Sequence, residues 1–189
     1  FFADPEHNLI LFSGKEPNMH WSCFGDCIFH LCQRFDVKQI LFVGSVAGLT
    51  PHSREPRFTV SMSHAALRTK LERMGIRFSG YEGPASFITY LTTRASKANI
   101  EMISLVAEVP AYLQGYNPKC VEAAIRCVCG LLDLRLACED LRGLSDEFEK
   151  RVNELVRQQP ELAKRILQLE EIYDKEIFDT ELSDLKDWL

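Results

Sequence analysis

The sequence predicts an α/β protein: a mixed, largely parallel sheet flanked by helices, followed by a C-terminal helical extension. Two continuous apolar runs, 8–13 and 38–43, have the length of strands buried on both faces, and a helical pattern lies between them over 22–35. Strand, helix and strand in this order form a βαβ unit with a right-handed crossover. A third apolar run, 100–107, predicts a further buried strand.

The other core elements follow in chain order. The helix over 22–35 carries its apolar stripe at Cys23, Phe24, Cys27, Ile28, Leu31, Cys32 and Phe35. Residues 57–62 alternate in character and predict a more exposed strand, after which Ser63 is placed to cap a helix that carries Leu67, Leu71 and Met74 and ends at Gly75. Amphipathic helices are predicted over 85–98 and over 118–134, the second with Pro118 in its first turn.

The composition changes near residue 138. Residues 1–138 carry a net charge of +2, whereas 139–189 carry −7. We therefore predict an α/β domain over 1–138 and an acidic helical extension over 139–189, made of two or three amphipathic helices with Pro160 beginning one of them. Their apolar stripes must be buried, either on the core or on a neighbouring subunit.

Composition excludes several classes of protein. The 189 residues are 46% hydrophobic and 26% charged, which is typical of a globular domain. No apolar run approaches the roughly 20 residues of a membrane span. A net charge of −5 argues against binding to nucleic acid. The chain begins at Phe1 and not at a methionine, so we expect a missing N-terminal part; it shows no signal-like stretch, so we expect a cytoplasmic location.

Seven cysteines raise the question of a metal site. His20, Cys23, Cys27 and His30 share a rough helical face, but there is no CxxC pair, and metal ligands normally come from separate elements. We interpret the cysteines as core residues and predict no metal. No cofactor is predicted either, because the Gly44–Gly48 stretch lacks the ending of a phosphate loop and no serine or cysteine has the setting of a nucleophile.

Candidate functional residues lie in the loops that follow the predicted strands, where ligands of open parallel sheets bind. This rule selects residues that could converge there: Glu16, His52, Arg54, Glu108 and Tyr112. Such a set suits acid–base chemistry or anion binding. The alternative is structural: Glu16 and Arg54 pair with each other, or satisfy backbone groups of the loops.

Four motifs, in order, carry a family resemblance. They are Gly14-Lys15-Glu16-Pro17-Asn18 with Trp21, Pro51-His52-Ser53-Arg54, Tyr81-Glu82-Gly83-Pro84, and Val109-Pro110-Ala111-Tyr112 followed by Pro118-Lys119. From about residue 8 to 134 the sequence resembles the prokaryotic branch of the proteasome assembly chaperone 2 family. The motifs add Asn18, Trp21, Tyr81 and Glu82 to the candidate residues.

The resemblance implies a core similar to nucleoside phosphorylases and a homo-oligomer, commonly a trimer. Eukaryotic relatives assist assembly of the proteasome core ring. The sequence departs from the family at Ala111, where histidine is frequent, and it lacks the segment that usually precedes the first strand.

We therefore expect a non-enzymatic, oligomeric protein-interaction module of the assembly-chaperone type, with itself and a protein client as partners. The alternative is a small-molecule enzyme or binding protein with its site at Glu16, His52, Arg54, Glu82 and Glu108. In that alternative His52 acts as general acid or base and Arg54 holds an anion.

Overall fold

The computed structural model of the chain describes residues 1–72, 76–78 and 86–187. Its strands are β1 (Phe2–Asp4), β2 (Leu9–Leu11), β3 (Gln39–Gly48), β4 (Phe58–Met62), β5 (Arg77–Phe78) and β6 (Glu101–Pro110). Its α-helices are α1 (Trp21–Arg34), α2 (Arg68–Glu72), α3 (Phe87–Lys97), α4 (Pro118–Leu132), α5 (Glu139–Arg157) and α6 (Pro160–Asp187), and a 3₁₀ turn over Ala65–Leu67 precedes α2.

The predicted fold class is confirmed. Four strands form a sheet in the order β3-β6-β4-β5, and β4 and β5 run parallel, with Thr59 opposite Arg77. Strand β6 is one of the two central strands of this sheet, and its Met102, Ile103 and Leu105 are fully buried. This burial explains why a continuous apolar run identified the strand in the sequence.

The predicted strand over 8–13 is wrong in its place and its burial. Strand β2 pairs antiparallel with β1 in a separate two-stranded sheet, so it does not form a βαβ unit with β3. Leu11 is 57% exposed and Phe12 46% exposed. A short apolar run has the same pattern in a hairpin as in a buried strand, and the pattern alone does not separate the two.

Two predicted boundaries also need correction. The strand predicted over 38–43 continues to Gly48, and β6 continues to Pro110, so the loops expected from residues 44 and 108 begin later. Ser63 does not cap a helix: its Oγ accepts from the backbone N–H of Met102, 2.7 Å away, and donates to the Ile100 carbonyl. The predicted helix end at Met74 and Gly75 lies outside the described residues.

The chain divides into two compact units. The first unit comprises the described residues of 1–42, 62–68 and 80–103. Its core joins α1 to α3 through a cluster whose most buried members are Phe29, Phe87, Leu91, Ala95 and Met102. Helix α3 begins at the cap that Ser86 provides, whose Oγ accepts from the N–H of Thr89.

Helix α1 confirms the predicted helix over 22–35 but not its whole apolar stripe. Cys32 is buried, whereas Cys23, Cys27 and Phe35 are exposed. The interpretation of Cys23 and Cys27 as core residues is therefore wrong. The face that packs inward carries Phe24, Ile28 and Phe29, so it is offset from the predicted stripe toward Phe29.

The second unit comprises the described residues of 43–61, 69–79 and 104–189. Helix α4 confirms the prediction over 118–134, with Pro118 in its first turn and Asn117 as its cap. The predicted tail helices are α5 and α6, and α6 begins at Pro160 as expected. Val152, Ile166 and Tyr173 on these helices are buried. Among the described residues, none of the helices contains an apolar stretch of the length that a bilayer span requires.

Candidate functional site

The candidate site is built on the segment 50–57, which follows β3 in the second unit. Thr50 is only 2% exposed, and its hydroxyl donates to Glu108 Oε2 over 2.9 Å. Gly48 permits this approach, because a Cβ there would lie 3.0 Å from Glu108 Oε2 and 3.2 Å from Glu108 Cβ. The carboxylate of Glu108 therefore fixes the start of the segment.

His52 is locked to Tyr112. The Tyr112 hydroxyl oxygen accepts from the backbone N–H of His52 over 2.8 Å and lies 2.7 Å from its ring Nδ1. Nε2 lies 3.3 Å from Asn153 Oδ1 on α5, and because an amide oxygen only accepts, this contact assigns the ring proton to Nε2. Nδ1 of the neutral ring then accepts from the Tyr112 hydroxyl.

His52 is a neutral histidine in this arrangement, and both of its ring nitrogens have hydrogen-bond partners. Its side chain is 3% exposed, and burial lowers its pKa below the usual value against the opposing effects of Asn153, Glu149 and Glu170. Burial likewise raises the pKa of Tyr112. Both shifts favour the uncharged pair that the hydrogen bonds describe.

Lys119 ties the same segment to two helices. From α4 its ammonium donates to the His52 carbonyl over 2.9 Å and to Glu149 on α5 over 2.5 Å. The lysine side chain is 14% exposed, so this ion pair is partly shielded from water. Backbone and side chain of His52 are thus both held by groups of the second unit.

Two arginines, which we call the arginine clamp (Arg54 and Arg57), hold α6. The Nε and Nη2 atoms of Arg54 each donate over 2.7 Å to one carboxylate oxygen of Asp174. This fork lowers the pKa of Asp174 and raises that of Arg54. Beside it the hydroxyl of Ser53 donates to Glu170.

Arg57 binds the next turn of α6. Its guanidinium carbon lies 4.0 Å from the centre of the Tyr173 ring, and Nη1 lies 2.8 Å from Glu176. The Tyr173 hydroxyl donates to the Glu55 carbonyl over 3.0 Å. The buried Nε of Arg57 has no hydrogen-bond partner among the described residues.

The structure brings four of the predicted residues into this polar region of the second unit: His52, Arg54, Glu108 and Tyr112. Glu16 belongs to the first unit, where its Oε1 accepts from the backbone N–H of Phe87 at the start of α3. Of the structural alternative, the pairing of Glu16 with Arg54 is wrong, because Arg54 pairs with Asp174, whereas Glu16 does satisfy a backbone group.

The other candidates from the motifs have separate places. Trp21 donates from its indole N–H to the Pro17 carbonyl over 2.8 Å and packs beside Phe87. Asn18 is exposed. Tyr81 and Glu82 lie outside the described residues.

Sequence reasoning missed the partners that α5 and α6 supply, Asn153, Glu149, Glu170, Tyr173 and Asp174. The charge asymmetry between residues 1–138 and 139–189 was a signal for them, since a basic loop needs carboxylates from elsewhere. Within the described part of the chain, no group of three or more histidine, cysteine or acidic side chains is arranged to hold a metal ion.

Comparison with known proteins identifies the family. The profile of the PAC2 family matches residues 1–156. The chain belongs to the PAC2 family. A search of curated proteins finds no match.

Solved structures agree with this family membership. A Mycobacterium tuberculosis protein of unknown function is 26% identical, with a TM-score of 0.80, over 90% of this chain and 57% of its own. A PAC2 family protein from Streptomyces avermitilis is 27% identical, with a TM-score of 0.70, over 80% of this chain and 63% of its own. A proteasome-assembly chaperone homologue of M. tuberculosis is 27% identical, with a TM-score of 0.69, over 79% of this chain and 62% of its own. The chain thus spans about three-fifths of these relatives' length.

Proposed function

We propose that this protein is a cytoplasmic, homo-oligomeric, non-enzymatic module of the assembly-chaperone type, whose client is a protein of the proteasome system. Membership of the PAC2 family, together with similarity to a proteasome-assembly chaperone homologue, carries this proposal. In it, 1–138 form the α/β domain and 139–189 form the acidic extension.

The bonding of the candidate residues supports a non-enzymatic role. His52 and Tyr112 are hydrogen-bonded to each other, Glu108 accepts a hydrogen bond from Thr50, and Arg54 donates hydrogen bonds to Asp174. A small-molecule site would need these groups to turn away from their partners toward a ligand. The fixed network instead positions α5 and α6.

Exposed apolar side chains on the tail offer a surface for a client. Leu144 and Leu155 on α5 are 48% and 58% exposed, and Leu167 and Phe178 on α6 are 55% and 61% exposed. Each pair is spaced by 11 residues, about three helical turns, so its two members lie on one side of their helix. Side chains of this kind are typical of protein interfaces.

The experiment is native mass spectrometry of the full chain, tagged and purified gently from the lysate of its own organism. We expect a homo-oligomer with a stoichiometric protein of the proteasome system. The L155A/L167A variant should lose that protein, whereas the control L49A/L136A, which shortens two leucines that are 65% and 56% exposed, should keep it.

Two results would overturn the proposal. One is a retained small molecule with no protein partner, lost on substitution of His52 and Arg54, which would favour the small-molecule alternative. The other is equal partner retention by both double variants, which would remove the tail surface from the interaction.

A further inference from the structure

We propose that the arginine clamp is a recognition site for an acidic, tyrosine-containing helix of a partner protein, and that α6 occupies this site in cis. The inference rests on the proposed function, because it gives the partner chemistry of a protein-interaction module. It concerns residues 53–57 and the turn of α6 around Tyr173.

Polar contacts dominate the hold of the clamp on α6. Among the described side chains of α6, Ile166 and Tyr173 are buried, whereas Asp174 and Glu176 remain about half exposed although each binds an arginine. Ion pairs with this much exposure contribute little to stability and weaken with salt. Displacing this segment therefore breaks these weak ion pairs and exposes the side chains of Ile166 and Tyr173.

The bound turn of α6 defines the ligand. Its aromatic ring at Tyr173 lies under the Arg57 guanidinium, and carboxylates stand three residues before it, one after it and three after it, at Glu170, Asp174 and Glu176. Helical spacing places side chains at these positions over adjacent turns. The clamp therefore recognises an acidic helix that contains one tyrosine. Arg54 binds a carboxylate with two hydrogen bonds, and Arg57 makes a cation–π contact with the tyrosine ring.

Arg57 shows that α6 is an incomplete ligand. Glu176 reaches only Nη1, the Tyr173 carbonyl is 3.4 Å from Nη2, and the buried Nε has no partner among the described residues. Arg54, in contrast, has its Nε and Nη2 both bonded to Asp174. A partner carboxylate that forks onto Arg57 as Asp174 does onto Arg54 would satisfy the orphan donor, so it would compete well with α6.

The test uses the full chain and a fluorescent peptide with the sequence of residues 160–179. In the D174R/E176R variant, two arginines face the clamp and release α6. This variant should bind the peptide at least ten-fold more tightly than the wild type does, because a site that is free in only a fraction of molecules lowers the apparent affinity by that fraction. The milder D174N/E176Q variant should also bind the peptide more tightly than the wild type does. It provides a folded protein for the test if the charge reversal in D174R/E176R prevents folding.

Matched controls locate the binding. The E161R/E171R variant makes the same charge change on α6 at two exposed carboxylates, and it should bind as weakly as the wild type does. Adding R54A/R57A to the released variant should abolish binding, and a peptide with Tyr173 replaced by alanine should bind several-fold less tightly.

Three outcomes would overturn the inference. These are equal peptide affinity for wild-type and released chains, binding that survives R54A/R57A, and a concentration-dependent dimer that exchanges α6 between copies. The last would assign the site to a second copy. If the peptide binds as expected while no proteasome-system protein co-purifies with the chain, the clamp stands and the proposed function fails.

Discussion

Replacing Tyr112 by phenylalanine removes one atom and tests the hydrogen bonds between the Tyr112 hydroxyl and His52. The substitution keeps the ring and removes the hydroxyl that accepts from the His52 backbone N–H and donates to its Nδ1. His52 is 3% exposed, so water cannot replace the lost partner. Leaving a buried polar group unsatisfied lowers the free energy of unfolding by about 1–3 kcal/mol.

The assay is urea denaturation followed by far-ultraviolet circular dichroism. With a denaturant slope of about 2–3 kcal/mol/M, Y112F should lower the midpoint by about 0.3–1.5 M. The control is Y116F, which removes the same atom from a side chain that is 65% exposed, and its midpoint should not move. If the two variants unfold at the same urea concentration, the hydroxyl does not hold the segment as described.

The remaining predictions concern pH, capping and the core. Burial lowers the pKa of His52 below 6.5, so between that lowered pKa and 6.5 the unfolded state binds more protons. The urea midpoint should therefore fall from pH 7.5 to 5.5, and an equal fall in H52Q would contradict this. N117A removes the cap of α4 and should lower the stability by about 1 kcal/mol, whereas N117S should retain most of it, both by thermal melting. M102A opens a cavity in the core of the first unit and should lower the free energy of unfolding by about 2–5 kcal/mol, whereas M19A, at a side chain that is 73% exposed, should leave it unchanged.

Strands and helices could be predicted from the sequence where the local pattern fitted only one type of element. Strand β6 is a central strand of the sheet and is largely buried, so the residues over 100–107 are apolar on both faces. This continuous apolar pattern predicted the strand correctly. Helix α4 had a cap, a proline in the first turn and a long apolar stripe, so its bounds are right to within two residues. The prediction of a buried strand over 8–13 was wrong, because a short strand of an antiparallel hairpin can also be continuously apolar.

The candidate site was predictable only on its loop side. The position of His52 and Arg54 after a strand brought them into the candidate set, together with Tyr112 after β6. Their partners Asn153 and Asp174 are separated from them by 101 and 120 residues. Nothing local in the sequence encodes such pairings, since they depend on how α5 and α6 dock.

Because Arg54 and Asp174 are far apart in the sequence, the clamp arginines are synthesised well before the helix that they bind. At about 5–20 residues per second, the 120 residues between them take roughly 6–24 s to translate. For that interval the nascent chain carries the two arginines before their own acidic helix exists. The growing polypeptide is thus receptive to an acidic helix from another protein earlier than to α6, so partner engagement can precede the completion of its own fold.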